Sequence, residues 1–398
     1  LAIATQGCSE MRNLSDTIAR LAALKAAYGQ GKRRSPRDRL KDMEIAGSNP
    51  GALKARTFIP ENLVSGAPLV VVLHGCTQSA AAYDDGSGWS VLAERDGFAL
   101  LFPEQQRANN ANLCFNWFVP GDAKRDAGEA LSIRQMIETM VKAYGLDRSR
   151  IFIVGLSAGG AMSSVMLASY PDVFAGGAII AGLPYGSATT MPEAFDRMRG
   201  HGGPSESDLQ KLVRSASPHQ GKWPKISVWH GTADSIVDIS NMETIIRQWA
   251  GLHGVKTSDY VSEHEQGYVR KVWHGTDGRE LIESYAIDGM GHGTPLATGG
   301  PEGYGTPGPY MLETGISSTL RIATFWGLVD VGHRRRNNTA DTRSEDYVHT
   351  GEVLVPGALT NDNDEGRPGG REHRTMNAQA SDIQKIIEDA LRAAGLMR

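Results

Sequence analysis

Gly155-Leu156-Ser157-Ala158-Gly159 sets a serine among small residues, directly after the apolar run 151–154 and directly before a segment of helical spacing. A nucleophile elbow needs that strand–turn–helix setting, because a tight turn there pushes the serine hydroxyl out of the sheet. Side chains two positions before and two after would collide with the turn. Both positions are glycine, and Gly160 adds room. An unassisted serine hydroxyl is a weak nucleophile, so a base and an acid that orients the base must lie further along the chain. Asp234 lies just past the strand-like run 225–231, in His230-Gly231-Thr232-Ala233-Asp234, with Asp238 as its local competitor. His292 lies past the run 283–287, in Gly289-Met290-Gly291-His292-Gly293, where glycines allow the loop to turn tightly. Of 11 histidines it alone combines that loop chemistry with the chain order Ser, Asp, His. Upstream, His74-Gly75-Cys76 ends the run 69–73, which would bring the Cys76 N–H beside that of Ala158 as two donors to a tetrahedral oxyanion. Together these residues describe acyl transfer through a covalent serine intermediate, chemistry that requires neither a metal nor an organic cofactor.

The elements that must position them can be read on either side. The runs 68–75, 99–104, 150–155, 177–182 and 225–231 are short and apolar, as buried parallel strands are. Between them, 129–144, 158–169 and 239–252 carry apolar residues at helical spacing. Alternation of this kind predicts a right-handed parallel α/β sheet. Residues 184–221 form a helical insertion long enough to cap a site, and 268–287 predicts a hairpin around Asp277-Gly278. With eight glycines and four prolines, 289–309 predicts an irregular loop, and 314–328 a last helix.

The flanks differ in character. Apolar residues at helical spacing predict a helix over 13–28, and a basic polar linker, 29–38, separates it from the strand-bearing region. Residues 334–370 are polar and poor in aromatics, the composition of a flexible tail, and 381–394 predicts a short amphipathic helix. The expected division is therefore an N-terminal extension and linker, 1–47, a catalytic domain, 48–332, and a polar tail, 333–398.

Composition excludes several classes. The chain has 398 residues, 40% hydrophobic and 22% charged, with 41 Lys and Arg against 45 Asp and Glu. A net charge of −4 leaves no electrostatic footprint for nucleic acid or an anionic membrane. No apolar run approaches the roughly 18 residues of a membrane-spanning helix. A soluble globular protein without nucleic-acid partner or membrane insertion is expected. Cys8, Cys76 and Cys114 are too few for a disulfide scaffold and have no metal-site spacing; they allow one pair with an odd thiol left over.

In HGCTQ (74–78), LFPEQ (101–105), LCFNWF (113–118), GLSAGGAM (155–162), HGTAD (230–234) and GMGHGTP (289–295), the sequence resembles the polyhydroxybutyrate (PHB) depolymerase family of esterases. The resemblance runs over roughly residues 52–328. It implies an α/β-hydrolase fold: a mostly parallel central sheet with helices on both faces and a short helical cap insertion. It also implies hydrolysis of carboxylic esters, whether short-chain hydroxyalkanoate, polyester or aryl, with a small-molecule or polymeric ester as partner. It maps Ser157, Asp234 and His292 onto the triad and Cys76 onto the oxyanion turn. A pairing of Cys76 with Cys114, and a substrate-binding role for Trp117 with neighbouring Asn116, are implied in the same way. Feruloyl and acetyl-xylan esterases are the alternative reading, with a serine peptidase or acyltransferase on the same fold as a further one. An extracellular location is implied by the resemblance, and a cytoplasmic one if Met11 is the natural start.

Overall fold

The computed structural model describes residues 37–329, apart from 301 and 302. Ten strands form one sheet: β1 (Lys41–Met43), β2 (Lys54–Phe58), β3 (Leu69–Leu73), β4 (Ala99–Glu104), β5 (Ile151–Leu156), β6 (Gly176–Ile180), β7 (Lys225–Gly231), β8 (Val261–Glu265), β9 (Tyr268–His274) and β10 (Glu280–Ile287). Their order across the sheet is β1-β2-β4-β3-β5-β6-β7-β10-β9-β8. The middle six, β4-β3-β5-β6-β7-β10, run parallel. Antiparallel pairs close both margins, β2 with β1 on one side and β9 with β8 on the other. The expected hairpin is the β9–β10 pair.

Period-two alternation of apolar side chains explains why helices cover both faces. Leu69, Val71 and Leu73 of β3 point into one core with Ile151 and Ile153 of β5, whereas Val70, Val72, Phe152 and Val154 point into the other. The first core is covered by α3 (Gly128–Tyr144), α4 (Ala158–Ser169) and α7 (Ser240–His253). The second is covered by α1 (Ala80–Ser87), α2 (Trp89–Asp96) and α8 (Ser318–Phe325). Trp326, just past α8, stacks on Trp89 of α2 and on Phe152 of β5, with ring centroids 6.1 and 4.9 Å away. The helical insertion expected at 184–221 contains α5 (Met191–Met198) and α6 (Glu206–Ser215), capped by Thr190 and Ser205. Asp238 N–H donates to the Met198 carbonyl at 2.7 Å, which ties the end of α5 to the segment before α7. None of the helices among the described residues is long and apolar enough to cross a membrane.

Three expectations change. The sheet begins at Lys41, ahead of the boundary drawn at 48, because β1 pairs with β2 and Leu40 enters the core. These residues are too polar to announce a strand; what holds them is edge pairing. The stretch 289–309 is not wholly irregular, since β11 (Thr294–Leu296) pairs in parallel with β12 (Met311–Glu313). The last helix is also shorter than 314–328, because Ser317 caps its start, its hydroxyl accepting from Leu320 N–H at 3.3 Å. Most of the linker, the helix expected at 13–28, the tail and its terminal helix lie outside the described residues.

Candidate active site

Ser157 stands between the end of β5 and the first residue of α4 with φ 57° and ψ −118°. A non-glycine residue holds such a backbone only where its surroundings over-determine it. Here the neighbours are backbone. A Cβ on Gly155 would lie 2.2 Å from the Gly159 carbonyl oxygen, and one on Gly159 would lie 2.5 Å from the carbonyl oxygens of Leu73 and His74. Both glycines are therefore demanded by close approach. The Ser157 N–H donates to Ile180 O at 2.9 Å, and Ser157 O accepts from Ala161 N–H at 2.8 Å, so the turn is held at both ends.

The loops carrying Asp234 and His292 are stitched together in the same manner. A Cβ on Gly231 would meet the Met290 carbonyl oxygen at 2.1 Å. Through that gap Ala233 N–H donates to Met290 O at 3.0 Å, Thr232 N–H to Ile287 O at 2.9 Å, and Gly289 N–H to Thr232 Oγ1 at 2.8 Å. The result brings His292 Nδ1 to 2.7 Å from Asp234 Oδ2, with both side chains buried. The other carboxylate oxygen, Oδ1, accepts from the N–H groups of Ile236 at 2.8 Å and Val237 at 3.0 Å. Burial pushes the Asp234 pKa up, but the charge of His292 and hydrogen bonds from His230 and His292 outweigh it and hold the carboxyl well below the usual range. An ionised Asp234 fixes the proton of neutral His292 on Nδ1 and leaves Nε2 as the free acceptor. Asp238 does not reach His292; its Oδ1 accepts from Ser240 N–H at 2.9 Å at the start of α7. His230 lies under the acid, its Nε2 donating to Val237 O at 2.8 Å and 3.4 Å from Asp234 Oδ2.

Ser157 and His292 open onto one cleft of about 340 Å³, whose other walls are Gly75, Cys76, Gln78, Leu156, Met198, Ile236 and Tyr310. Its surface is mainly apolar. Among the described residues neither the Cys76 nor the Ala158 N–H donates to a backbone or side-chain acceptor. Cys76 is bonded through its sulfur to Cys114, and Thr77 N–H donates to Asn112 O at 2.7 Å. These two links join the turn after β3 to the loop after β4.

That loop does not present Trp117 and Asn116 to the cleft, contrary to what the resemblance implied. Trp117 is 7% exposed and belongs to the core under α3 and α4, its ring edge-on to Phe118 at 5.3 Å. Asn116 spends its groups inside the protein: its N–H on Glu129 Oε2 at 2.9 Å, its amide nitrogen on Asp122 at 3.3 Å, and its amide oxygen on Asn110 at 3.1 Å. Buried Glu129, at the start of α3, also accepts from Gln105 Nε2 at 2.6 Å, and this draws the loop inward.

Gln78, Met198, Ile236 and Tyr310 were not singled out from the sequence. Met198 arrives on the insertion, which did signal a cap. Gln78 lies within the HGCTQ motif, but its direction depends on the turn. Tyr310 shows no signal at all: it adopts φ 62°, its ring stands edge-on to His292 at 6.0 Å, and its carbonyl accepts from Thr294 N–H at 2.8 Å.

The family model "Esterase PHB depolymerase" matches residues 54–269. Poly(3-hydroxyalkanoate) depolymerase C of Paucimonas lemoignei is 45% identical over 285 residues, 71% of this chain and 69% of that protein. Feruloyl esterase B of Talaromyces stipitatus is 30% identical over 258 residues, 63% of this chain and 70% of that protein. Among solved structures, acetyl xylan esterase from Aspergillus awamori superposes with a TM-score of 0.62 at 22% identity, over 73% of this chain and 99% of that one, a likeness of fold.

Proposed function

The chain belongs to the PHB depolymerase family of esterases, and on that premise we propose that Ser157 is the nucleophile of its carboxylic-ester hydrolysis, His292 the general base and Asp234 the orienting acid. The 2.7 Å bond between His292 Nδ1 and Asp234 Oδ2, beside a serine held at a strained strand–helix turn, carries this reading. His292 Nε2 takes the hydroxyl proton as Ser157 Oγ adds to the ester carbonyl. The N–H groups of Cys76 and Ala158 receive the negative oxygen of the tetrahedral intermediate. His292 then gives its proton to the departing alkoxide, leaving an acyl-Ser157 that water hydrolyses with the same histidine as base.

The substrate we propose is an ester of a short 3-hydroxyalkanoic acid, monomeric or within a polyester. The apolar cleft walls Leu156, Met198, Ile236 and Tyr310 suit a small aliphatic acyl group, and a 45% identical relative is named a poly(3-hydroxyalkanoate) depolymerase. A panel of p-nitrophenyl acetate, butyrate and 3-hydroxybutyrate, methyl ferulate and PHB film tests it. Highest kcat/KM on the four-carbon esters, with release of 3-hydroxybutyrate from film, is expected. Preference for methyl ferulate would overturn the substrate assignment.

A further inference from the structure

We propose that the side-chain amide of Gln78 is a third donor to the oxyanion, acting alongside the N–H groups of Cys76 and Ala158. The inference rests on the triad assignment above and deepens it. Gln78 is 9% exposed and lines the cleft that contains Ser157 and His292. Its Oε1 accepts the Gly75 N–H at 2.8 Å, and its own N–H donates to Gly75 O at 3.3 Å. A backbone N–H can only donate, so the amide end facing Gly75 must be the oxygen. The two ends of the carboxamide cannot exchange without orphaning a buried donor. The NH₂ end is thereby directed, and among the described residues it has no acceptor; nor is Nε2 one of the sealed, unpaired buried atoms. A donor whose orientation is fixed, on a side chain nine-tenths buried that lines the cleft, is thus left without a partner among the described residues.

Its place in the chain says which oxygen it serves. Gln78 grips Gly75, the residue immediately before the Cys76 N–H. A Cβ on Gly75 would lie 3.0 Å from Gln78 Oε1 and 3.5 Å from Leu156 Cδ2, so the amide packs against the turn on the side facing the elbow. As Ser157 Oγ bonds to the carbonyl carbon, the π pair of the C=O moves onto its oxygen. In this assignment an N–H of Gln78 Nε2 donates to that developing charge beside the two backbone donors. The group is held before the reaction begins, so no reorganisation is needed when charge appears.

Gln78→Glu is the informative substitution. A glutamate keeps an acceptor for Gly75 N–H but removes the donor at the oxyanion. It is compared with wild type and Gln78→Met on p-nitrophenyl butyrate and p-nitrophenyl 3-hydroxybutyrate at pH 8. Inhibition by a trifluoromethyl ketone, which adds to a serine as a hemiketal oxyanion, is measured alongside. The expected result for Gln78→Glu is a kcat about 10²–10³-fold lower on both esters, KM within about threefold, and inhibitor affinity reduced in parallel. Activity within threefold of wild type in either folded variant would overturn the proposal. So would a loss confined to the 3-hydroxyacyl ester, which would make Gln78 a contact for the acyl hydroxyl, or a change in KM alone. Ser157→Ala separates this outcome from failure of the triad: an inactive Ser157→Ala with a fully active Gln78→Glu sinks only the Gln78 assignment.

Discussion

The Asp234 carboxylate spends its two oxygens on different tasks, and a single-atom substitution separates them. Oδ1 is pinned by the N–H groups of Ile236 and Val237, so an asparagine at 234 must keep its oxygen there and turn its NH₂ toward His292. That NH₂ can only donate, which forces His292 to carry its proton on Nε2, the tautomer that cannot accept from Ser157. Asp234→Asn is expected to lower kcat by on the order of 10⁴ with little change in melting temperature. Asp238→Asn is the control: asparagine caps a helix as well as aspartate does, and Asp238 serves the start of α7, so activity should hold. A larger loss at 238 would reverse the assignment. Ser157, Asp234 and His292 were legible as candidates because their constraints are local. An elbow needs glycine on both sides of its serine, and the Asp234 and His292 loops need glycine where they touch. Gln78 and Tyr310 were not, since what they face is set by turns that other segments impose.

At the scale of elements, the loop between β4 and α3 is decided by one buried acid. Glu129, 1% exposed at the start of α3, binds Gln105 and the Asn116 backbone, and the loop so held turns Trp117 into the core. The sequence LCFNWF carries no sign of which face its aromatics present, because that face depends on Glu129 and on the Cys76–Cys114 link. Trp117→Ala is therefore expected to cost about 3–5 kcal/mol of stability and to change kcat/KM for acetyl and longer esters alike. Urea denaturation and the ester series measure both, and a selective loss on long esters at unchanged stability would return Trp117 to the cleft. Burial raises the Glu129 pKa to about 8; the hydrogen bonds from Asn116 and Gln105 oppose the rise and nearby Asp122 adds to it. The folded chain thus keeps a proton that the unfolded chain loses near pH 4.3, and stability falls as pH rises from there toward 8, by up to about 1.4 kcal/mol per unit. Glu129→Gln removes this share of the slope. Wild type should lose ground to the variant in unfolding free energies between pH 5 and pH 8. A constant difference across that range would contradict a protonated Glu129. Asp84 and Glu283, raised by burial to about 6 and about 7, slope the same way in both proteins and cancel in the comparison.

For the molecule as a whole, the parallel strands announced themselves as apolar runs, but the margins of the sheet did not. The residues of β8 are all exposed, and Glu263 and Glu265 guard an outer edge with charge rather than with a pattern. At the opposite margin β1 has little apolar content, yet Arg39 donates to Ser90 at 3.1 Å and Glu94 at 3.2 Å while Leu40 fills the core. We propose that the catalytic domain includes residues 38–47, ahead of the boundary at 48. A fragment 37–332 should melt several degrees above a fragment 48–332, with both hydrolysing p-nitrophenyl butyrate; equal melting temperatures would restore the boundary at 48. Intact-mass spectrometry of the whole chain after treatment with a fluorophosphonate addresses the central assignment most directly. One phosphonyl adduct per chain is expected, located by peptide mapping on Ser157, with loss of esterase activity in proportion to labelling and no adduct in Ser157→Ala. Labelling of another residue, or an unlabelled chain that still turns over ester, would contradict it.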